Sequence, residues 1–108
     1  MMNLLFVCSQ NRLRSPTAEQ VFASHPALDV TSAGTNNDAE NPVTAELLEW
    51  ADIIFVMERM HRNKLQQRFR QALKTSRIIC LDIPDDYDFM DDELIRLLKV
   101  KVSRFLPV

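Results

Sequence analysis

The stretch "FVCSQNRLRSPTAEQ", residues 6–20, decides the fold of this 108-residue chain. It begins inside an apolar run, Met2 to Val7, which we predict to be a strand buried on both faces. It ends in a predicted helix, with Ser15 as the N-cap and Pro16 at the first helical position. Cys8 therefore lies at the carboxyl end of a strand and faces the start of a helix.

The rest of the chain continues this alternation of strands and helices. Such alternation predicts parallel pairing through right-handed crossovers, and hence a small three-layer α/β sandwich. Ligands of open parallel sheets bind beyond the carboxyl ends of the strands, which is where Cys8 lies. The other predicted strands are Leu28 to Ser32, residues 51–57 and residues 77–83, and the later helices are Pro42 to Trp50, residues 58–74 and Glu93 to Phe105.

Composition and cysteine usage limit the function classes. We expect a single domain over residues 1–108, and a net charge of -2 gives no reason to expect nucleic acid or an anionic membrane as a partner. The N-terminal apolar run is too short for a signal peptide or a membrane span, so we expect a cytoplasmic protein. Cys8 and Cys80 have no paired-ligand spacing, so we expect reduced thiols and neither a metal nor a cofactor.

The loop after the first strand has the chemistry of an oxyanion cradle. The amides of Ser9 to Arg14 and the following helix dipole would favour an anion there and a negative charge on Cys8. Arg14 offers a planar fork for two phosphate oxygens, Asn11 suits a left-handed kink, and the Ser15 hydroxyl could donate to the sulfur. Together these groups favour phosphoryl transfer to sulfur. The alternative is that Cys8 is only a small buried apolar residue.

An acidic loop follows the fourth predicted strand and contains "PDDYDFMDD", residues 84–92. Cleavage of a phosphate monoester needs a proton for the leaving oxygen and later a base for water. A carboxylate on this loop would lie at the sheet edge where Cys8 also emerges. Most of these aspartates are expected only to solvate a turn or to cap the last helix.

The sequence "LLFVCSQNRLRSPTAE", residues 4–19, resembles the phosphate-binding loop of the low-molecular-weight protein tyrosine phosphatases. The signature of that family is Cys-x5-Arg-Ser followed by Pro. "SAGT" (32–35), "ADIIFVMERMHRNKL" (51–65) and "DIPDDY" (82–87) resemble later landmarks of the family, in the same order. The resemblance implies a four-stranded parallel sheet of order 2-1-3-4, the phosphatase I-like fold, and a phosphocysteine mechanism.

The resemblance also implies a role for individual residues. Cys8 would be the nucleophile and Asp85 the general acid, with Asp86 as the second candidate for the acid. Tyr87 would form a wall against the substrate ring, and Ser32 would brace the loop asparagine. Phosphate would be bound by the loop residues Ser9, Gln10, Asn11, Arg12, Leu13, Arg14 and Ser15, with Ser15 also activating the nucleophile.

The chain departs from the family at several positions. Gln10 replaces a glycine of the family loop, and Leu13 replaces a second cysteine. The family chain is longer and has a histidine-bearing stretch beside the pocket, whereas here the helix Pro42 to Trp50 runs straight into the third strand. We expect His25 and His61 to be surface groups near helix ends, without a role.

These features predict a phosphomonoester hydrolase, specifically a protein tyrosine phosphatase with a phosphocysteine intermediate. The expected partners are a phosphorylated protein or a small aryl phosphate, with phosphate, sulfate and vanadate as ligands. Arg12, at the pocket rim, should favour acidic substrates and disfavour phosphoarginine. Two alternatives remain: an arsenate reductase-like enzyme, which would need two further cysteines where this chain has Cys80, and a non-catalytic phosphate- or phosphoprotein-binding module, against which Asp85 argues.

Overall fold

The computed structural model describes residues 1–73 and 76–106, in which four strands alternate with four helices. The strands form one parallel sheet of order β2-β1-β3-β4, which confirms the predicted α/β class and strand order. The described part of the chain has no helix that is both long enough and apolar enough to cross a membrane. The elements are β1 (Met2–Cys8), α1 (Arg14–Phe22), β2 (Leu28–Gly34), α2 (Ala45–Trp50), β3 (Ile53–Val56), α3 (Arg59–Arg68), β4 (Arg77–Cys80) and α4 (Asp92–Ser103).

β1 is a central strand whose alternating side chains serve two separate cores. Leu4, Phe6 and Cys8 pack with residues of α1 and α4 on one face of the sheet. Leu5 and Val7 pack with residues of α2 and α3 on the other face. Each fully buried aliphatic or aromatic side chain contributes about 1.5–3 kcal/mol. The strand is thus buried on both faces, as its continuous apolar run predicts.

Several predicted helix boundaries were wrong, and the caps explain why. α2 begins at Ala45 rather than Pro42, because the Thr44 side chain accepts a hydrogen bond from the Leu47 amide. α3 does not extend over residues 58–74: it ends at Arg68, where the next residue leaves the helical conformation with φ -129°. The last residue of that prediction, residue 74, lies outside the described residues. α4 ends at Ser103, two residues before its predicted end at Phe105.

The strand boundaries also differ from the predictions. β3 covers Ile53–Val56 instead of residues 51–57, and β4 ends at Cys80 instead of residue 83. Asp82 has φ 54°, a left-handed conformation that cannot continue a strand. β2 runs two residues further than predicted, to Gly34, because the β1–β2 ladder continues to the end of both strands. The carboxyl ends of β1 and β2 therefore lie side by side, beneath the loop that follows Cys8.

Ser15 is not the N-cap of α1, contrary to the prediction. The helix begins at Arg14, and the capping position is Leu13, which makes no side-chain cap hydrogen bond. The Ser15 hydroxyl lies within hydrogen-bond distance of Cys8 and Asn11 instead. A serine followed by proline predicts a helix start correctly, but the pattern does not show which polar group the hydroxyl contacts.

Candidate active site

The loop between β1 and α1 is organised around the side chain of Asn11. Asn11 has φ 58°, the left-handed conformation predicted for it in a loop without glycine. Its Nδ2 group donates to Ser15 Oγ at 3.0 Å and to Ser32 Oγ at 2.9 Å. The kink is therefore stabilised by two side-chain hydrogen bonds to buried hydroxyls on α1 and β2.

The direction of these hydrogen bonds determines where the serine protons go. An amide Nδ2 group only donates, so both hydroxyls accept from Asn11 and keep their own protons. Ser32 donates its proton to the carboxylate of Glu19. Ser15 Oγ lies 2.9 Å from Cys8 Sγ, and when the sulfur is a thiolate, which can only accept, the Ser15 hydroxyl is the donor. A donated proton stabilises negative charge on the sulfur, which is the form that attacks phosphorus.

Arg14 is almost fully buried, with 3% of the residue exposed. Its Nη1 donates to Glu58 Oε1 at 2.6 Å and to the Ile83 carbonyl oxygen at 2.7 Å. Because these two hydrogen bonds occupy Nη1, an anion in the pocket would bind the other edge of the guanidinium, which is formed by Nε and Nη2. That edge is the planar fork that matches two phosphate oxygens.

His61 is completely buried, so the prediction that it is a surface group was wrong. The Glu58 amide donates to His61 Nδ1 at 3.0 Å, and His61 Nε2 lies 2.9 Å from Ser9 Oγ. Burial, followed by the nearby Arg14 charge, lowers the His61 pKa from 6.5 to about 4. The ring is therefore neutral at physiological pH and carries its proton on Nε2.

Glu58 and His61 were missed by sequence reasoning, although one signal was present. An acidic residue before a helix and a hydrogen-bonding side chain three residues later form a capping-box pattern. That pattern indicates that the first turn of α3 is fixed. It does not show that the same turn contacts the phosphate loop.

A polar segment, Thr35 to Asn41, supports the back of the loop. The amides of Thr35, Asn36 and Glu40 donate to the carbonyl oxygens of Cys8, Ser9 and Gln10 at 2.9, 3.0 and 3.1 Å. In a trans peptide the next N–H points away from the carbonyl, so the following amides are turned away from this segment. These are the groups that an oxyanion needs.

Gly34 is required where this segment leaves β2. A Cβ atom there would lie 2.5 Å from Ala39 Cβ and 2.6 Å from the Ser9 carbonyl oxygen. Both contacts are far closer than van der Waals distance, so no larger residue fits without moving the loop. The single glycine of the chain thus allows the backing segment to approach the phosphate loop closely.

The loop and the acidic segment enclose a pocket of about 210 Å³. Asn11 and Ser15 lie buried behind it, and Tyr87 packs against the core on the α1–α4 side. A wider depression of about 880 Å³ runs along α3, but no residue of the phosphate loop lines it. The smaller pocket is lined by Cys8, Ser9, Gln10, Arg12, Leu13, Arg14 and Asp85.

The two charged residues at the rim differ in their surroundings. Asp85 is two-thirds exposed, and its Oδ1 lies 3.7 Å from Arg14 Nε, on the edge of the guanidinium that faces the pocket. Asp86 is exposed and does not line the pocket. Arg12 Nε lies 3.7 Å from Glu40 Oε1, so the rim arginine has a carboxylate beside it that the sequence did not indicate.

Cys80 is poorly placed to exchange electrons with Cys8. The two cysteines are free, lie on strands separated by β3, and pack on opposite faces of the sheet. Burial raises the pKa of the Cys80 thiol, which makes its reactive thiolate form less abundant. Among residues 1–73 and 76–106, no three histidine, cysteine or carboxylate side chains are grouped as metal ligands.

Comparison with known proteins agrees with this geometry. Residues 3–50 match the model of the family described as low molecular weight phosphotyrosine protein phosphatase. The predicted resemblance to the low-molecular-weight protein tyrosine phosphatases is confirmed. The protein-arginine-phosphatase of Bacillus subtilis (strain 168) is 28% identical over an alignment of 95 residues, and the match covers 63% of this chain. The chain likewise spans 63% of that relative's length.

Solved structures of low-molecular-weight phosphatases share the fold. The enzyme SP-PTP from Streptococcus pyogenes superposes with a TM-score of 0.80 at 19% identity, covering 99% of this chain and 95% of that one. The YwlE arginine phosphatase from Geobacillus stearothermophilus gives a TM-score of 0.77 at 21% identity, covering 97% and 93%. At these identities the superpositions establish the architecture and strand order.

Proposed function

We propose that this chain is a cysteine-dependent phosphomonoester hydrolase that works through a phosphocysteine intermediate, in the cytoplasm, where its thiols stay reduced. The observation that carries the proposal is the convergence of three groups on one pocket. Cys8 lies 2.9 Å from the Ser15 hydroxyl, the Nε–Nη2 edge of Arg14 faces the same space, and Asp85 stands at the rim beside that edge. A nucleophile, an anion fork and a carboxyl group are what this reaction needs.

In the first step, the phosphate binds to the loop amides and to Nε and Nη2 of Arg14. The Cys8 sulfur attacks phosphorus in line, so that a sulfur–phosphorus bond forms as the bond to the leaving oxygen breaks. Asp85 in its protonated form gives a proton to that oxygen. Arg14 and the amides stabilise the negative charge on the equatorial oxygens in the transition state.

In the second step, water attacks the phosphocysteine. The Asp85 carboxylate, which lost its proton in the first step, now removes one from the water. The sulfur–phosphorus bond breaks, and inorganic phosphate leaves with the oxygen from water. The Cys8 thiolate reforms, stabilised by the proton that Ser15 donates, and Asp85 is again protonated for the next cycle.

For the substrate we propose a phosphotyrosyl protein or a small aryl phosphate, as the family resemblance implies. Phosphoarginine is a second candidate, because the relative from Bacillus subtilis is named a protein-arginine-phosphatase. A lone Arg12 would repel the guanidinium of that substrate. Glu40, 3.7 Å from Arg12, offsets this charge and so weakens the expected discrimination against phosphoarginine.

The test is hydrolysis of p-nitrophenyl phosphate, followed by peptides of one sequence carrying phosphotyrosine or phosphoarginine. Wild type and Cys80→Ser should hydrolyse at similar rates, whereas Cys8→Ser should be inactive. Cys80→Ser is the matched control, because it removes a free thiol on the opposite face of the sheet. Equal activity of Cys8→Ser and wild type would contradict the mechanism, and the peptide pair decides between the two substrate classes.

A further inference from the structure

The first turn of α3 contacts the phosphate loop at both of its ends. Glu58 binds Arg14, the first residue of α1 at the end of the loop, at 2.6 Å. Three residues later His61 binds Ser9, the first residue after the proposed nucleophile, at 2.9 Å. One helical turn therefore sets the positions of the loop's beginning and end relative to each other.

The protonation of the His61 ring determines which atom donates in the hydrogen bond between His61 and Ser9. Nδ1 accepts the Glu58 amide proton, so the neutral ring carries its own proton on Nε2 and donates it to Ser9 Oγ. The Ser9 hydroxyl is the acceptor in that bond and keeps its own hydrogen for a second partner. Ser9 lines the pocket, where the second partner would be an oxygen of a bound anion.

A neutral donor suits this arrangement better than a charged one. A completely buried cation beside the Arg14 guanidinium would be costly, and burial together with Arg14 keeps the ring neutral. The hydrogen bond therefore orients Ser9 without adding a second charge to the pocket. A hydroxyl held by one such bond loses less rotational freedom when an anion binds.

We infer that His61 is a positioning residue that acts through Ser9: it orients the Ser9 hydroxyl as a hydrogen-bond donor to the phosphate group of the substrate. The inference rests on the proposed function for the identity of the anion. It adds a specific donor, Ser9, and the residue that aims it, neither of which follows from the cysteine-arginine spacing.

Two substitutions of His61 distinguish the roles of its two ring nitrogens, Nδ1 and Nε2. His61→Gln can place an amide nitrogen near the position of Nε2 and still donate to Ser9. His61→Asn can accept the Glu58 amide proton through its oxygen but is too short to reach Ser9. His61→Gln therefore keeps the hydrogen bond to Ser9, and His61→Asn keeps only the hydrogen bond from the Glu58 amide.

Vanadate binding to the full chain, measured by calorimetry, tests the inference without requiring turnover. Ser9→Ala and His61→Asn should each raise the dissociation constant about three- to tenfold. His61→Gln should stay within about twofold of wild type. The double variant Ser9→Ala/His61→Asn should bind no more weakly than Ser9→Ala alone, because the histidine acts through the hydroxyl.

Wild-type affinity in His61→Asn, or additive losses in the double variant, would overturn the inference. If His61→Asn does not fold, His61→Gln and Ser9→Ala carry the test, and a loss in His61→Gln as large as that in Ser9→Ala overturns it. Hydrolysis of p-nitrophenyl phosphate is measured on the same samples. Vanadate affinities that follow the predicted pattern without any hydrolysis would refute the proposed function alone.

Discussion

The two halves of the candidate site are built differently. On the anion side, Asn11, Arg14 and Ser15 are 6%, 3% and 0% exposed, and each side chain is hydrogen-bonded to another part of the core. On the acid side, Asp85 is two-thirds exposed and Asp86 lies outside the pocket. Arg14 connects the halves, since it donates to the Ile83 carbonyl and lies 3.7 Å from Asp85.

Because of this difference in burial, we expect substitutions on the anion side and on the acid side to have different effects. Buried polar groups need partners, and losing one costs about 1–3 kcal/mol, so changes on the anion side should alter stability and binding together. An exposed carboxylate contributes little to folding, so changes on the acid side should alter the reaction rate alone.

The largest effect is expected for Arg14→Lys. Lysine keeps the positive charge but has no planar fork, so it cannot hold two phosphate oxygens and also bind Glu58 and Ile83. We expect kcat/KM for p-nitrophenyl phosphate to fall by about 10²- to 10³-fold, and the melting temperature to fall as well. Competitive inhibition by vanadate that remains at the wild-type level in Arg14→Lys would contradict the assignment of the anion fork.

Asp85→Asn should reduce the rate without reducing stability. The amide cannot donate an acidic proton to the leaving oxygen, so hydrolysis of an unactivated ester should slow by about 10²-fold. With p-nitrophenol, a better leaving group, the loss should be smaller. Asp86→Asn is the matched control, and a larger loss in that variant would transfer the role of general acid to Asp86.

Burial of His61 behind the anion side of the site should also make the stability of the protein sensitive to acid. The His61 pKa is about 4 in the folded protein and about 6.5 in an unfolded chain. Between these values the unfolded state binds a proton that the folded state does not, so the free energy of unfolding falls as the pH is lowered through this window. The loss should reach roughly 3 kcal/mol near pH 4. The charged groups around the ring are Arg14, Glu58, Lys64 and Asp85.

Urea unfolding of wild type and His61→Gln at pH 7 and pH 4.5 measures this contribution. Glutamine does not titrate, so the stability difference between the two pH values should be smaller in His61→Gln than in wild type. His25→Gln serves as the control for a histidine outside the site. The same pH dependence in wild type and His61→Gln would show that protonation of His61 does not limit stability.

The smallest effect is expected for Arg12→Ala. Because Glu40 lies 3.7 Å from Arg12 and both side chains are mostly exposed, the preference for acidic peptide flanks should be weak. It should shrink further in Arg12→Ala, whereas Glu40→Gln should strengthen it by removing the neighbouring carboxylate. Comparison of kcat/KM for peptides with acidic and basic flanks measures this. Identical profiles for all three proteins would show that Arg12 does not contact substrates.

The pattern of strands and helices predicted the α/β class, the family resemblance implied the strand order, and one short stretch contains most of the residues that line the candidate pocket. A continuous apolar run predicts β1 buried on both faces, and a cysteine at its end with Arg14 six residues later locates the pocket. Asn11 was expected to take the left-handed kink and does so. These features are local, because each depends on residues close together in the chain.

The back of the site could not be predicted, because its contacts join distant parts of the chain. His61 stands in a helix rich in basic residues, a pattern typical of a solvated surface, yet it contacts Ser9 from 52 positions away. The segment after Gly34 contains only polar and small residues, which predicts an irregular loop. Its order comes from hydrogen bonds to the carbonyl oxygens of the phosphate loop. No periodicity in the sequence reports such pairings.

The central claim is that the Cys8 sulfur carries the phosphoryl group during turnover. Wild type is mixed with an excess of p-nitrophenyl phosphate, quenched rapidly in acid, digested, and analysed by mass spectrometry. The account predicts phosphate on the sulfur of the peptide containing Cys8, at levels that depend on substrate, both in wild type and in Cys80→Ser. Hydrolysis without any phosphorylated Cys8 peptide at the shortest times, or phosphate carried on a different residue of the wild-type protein, would contradict it.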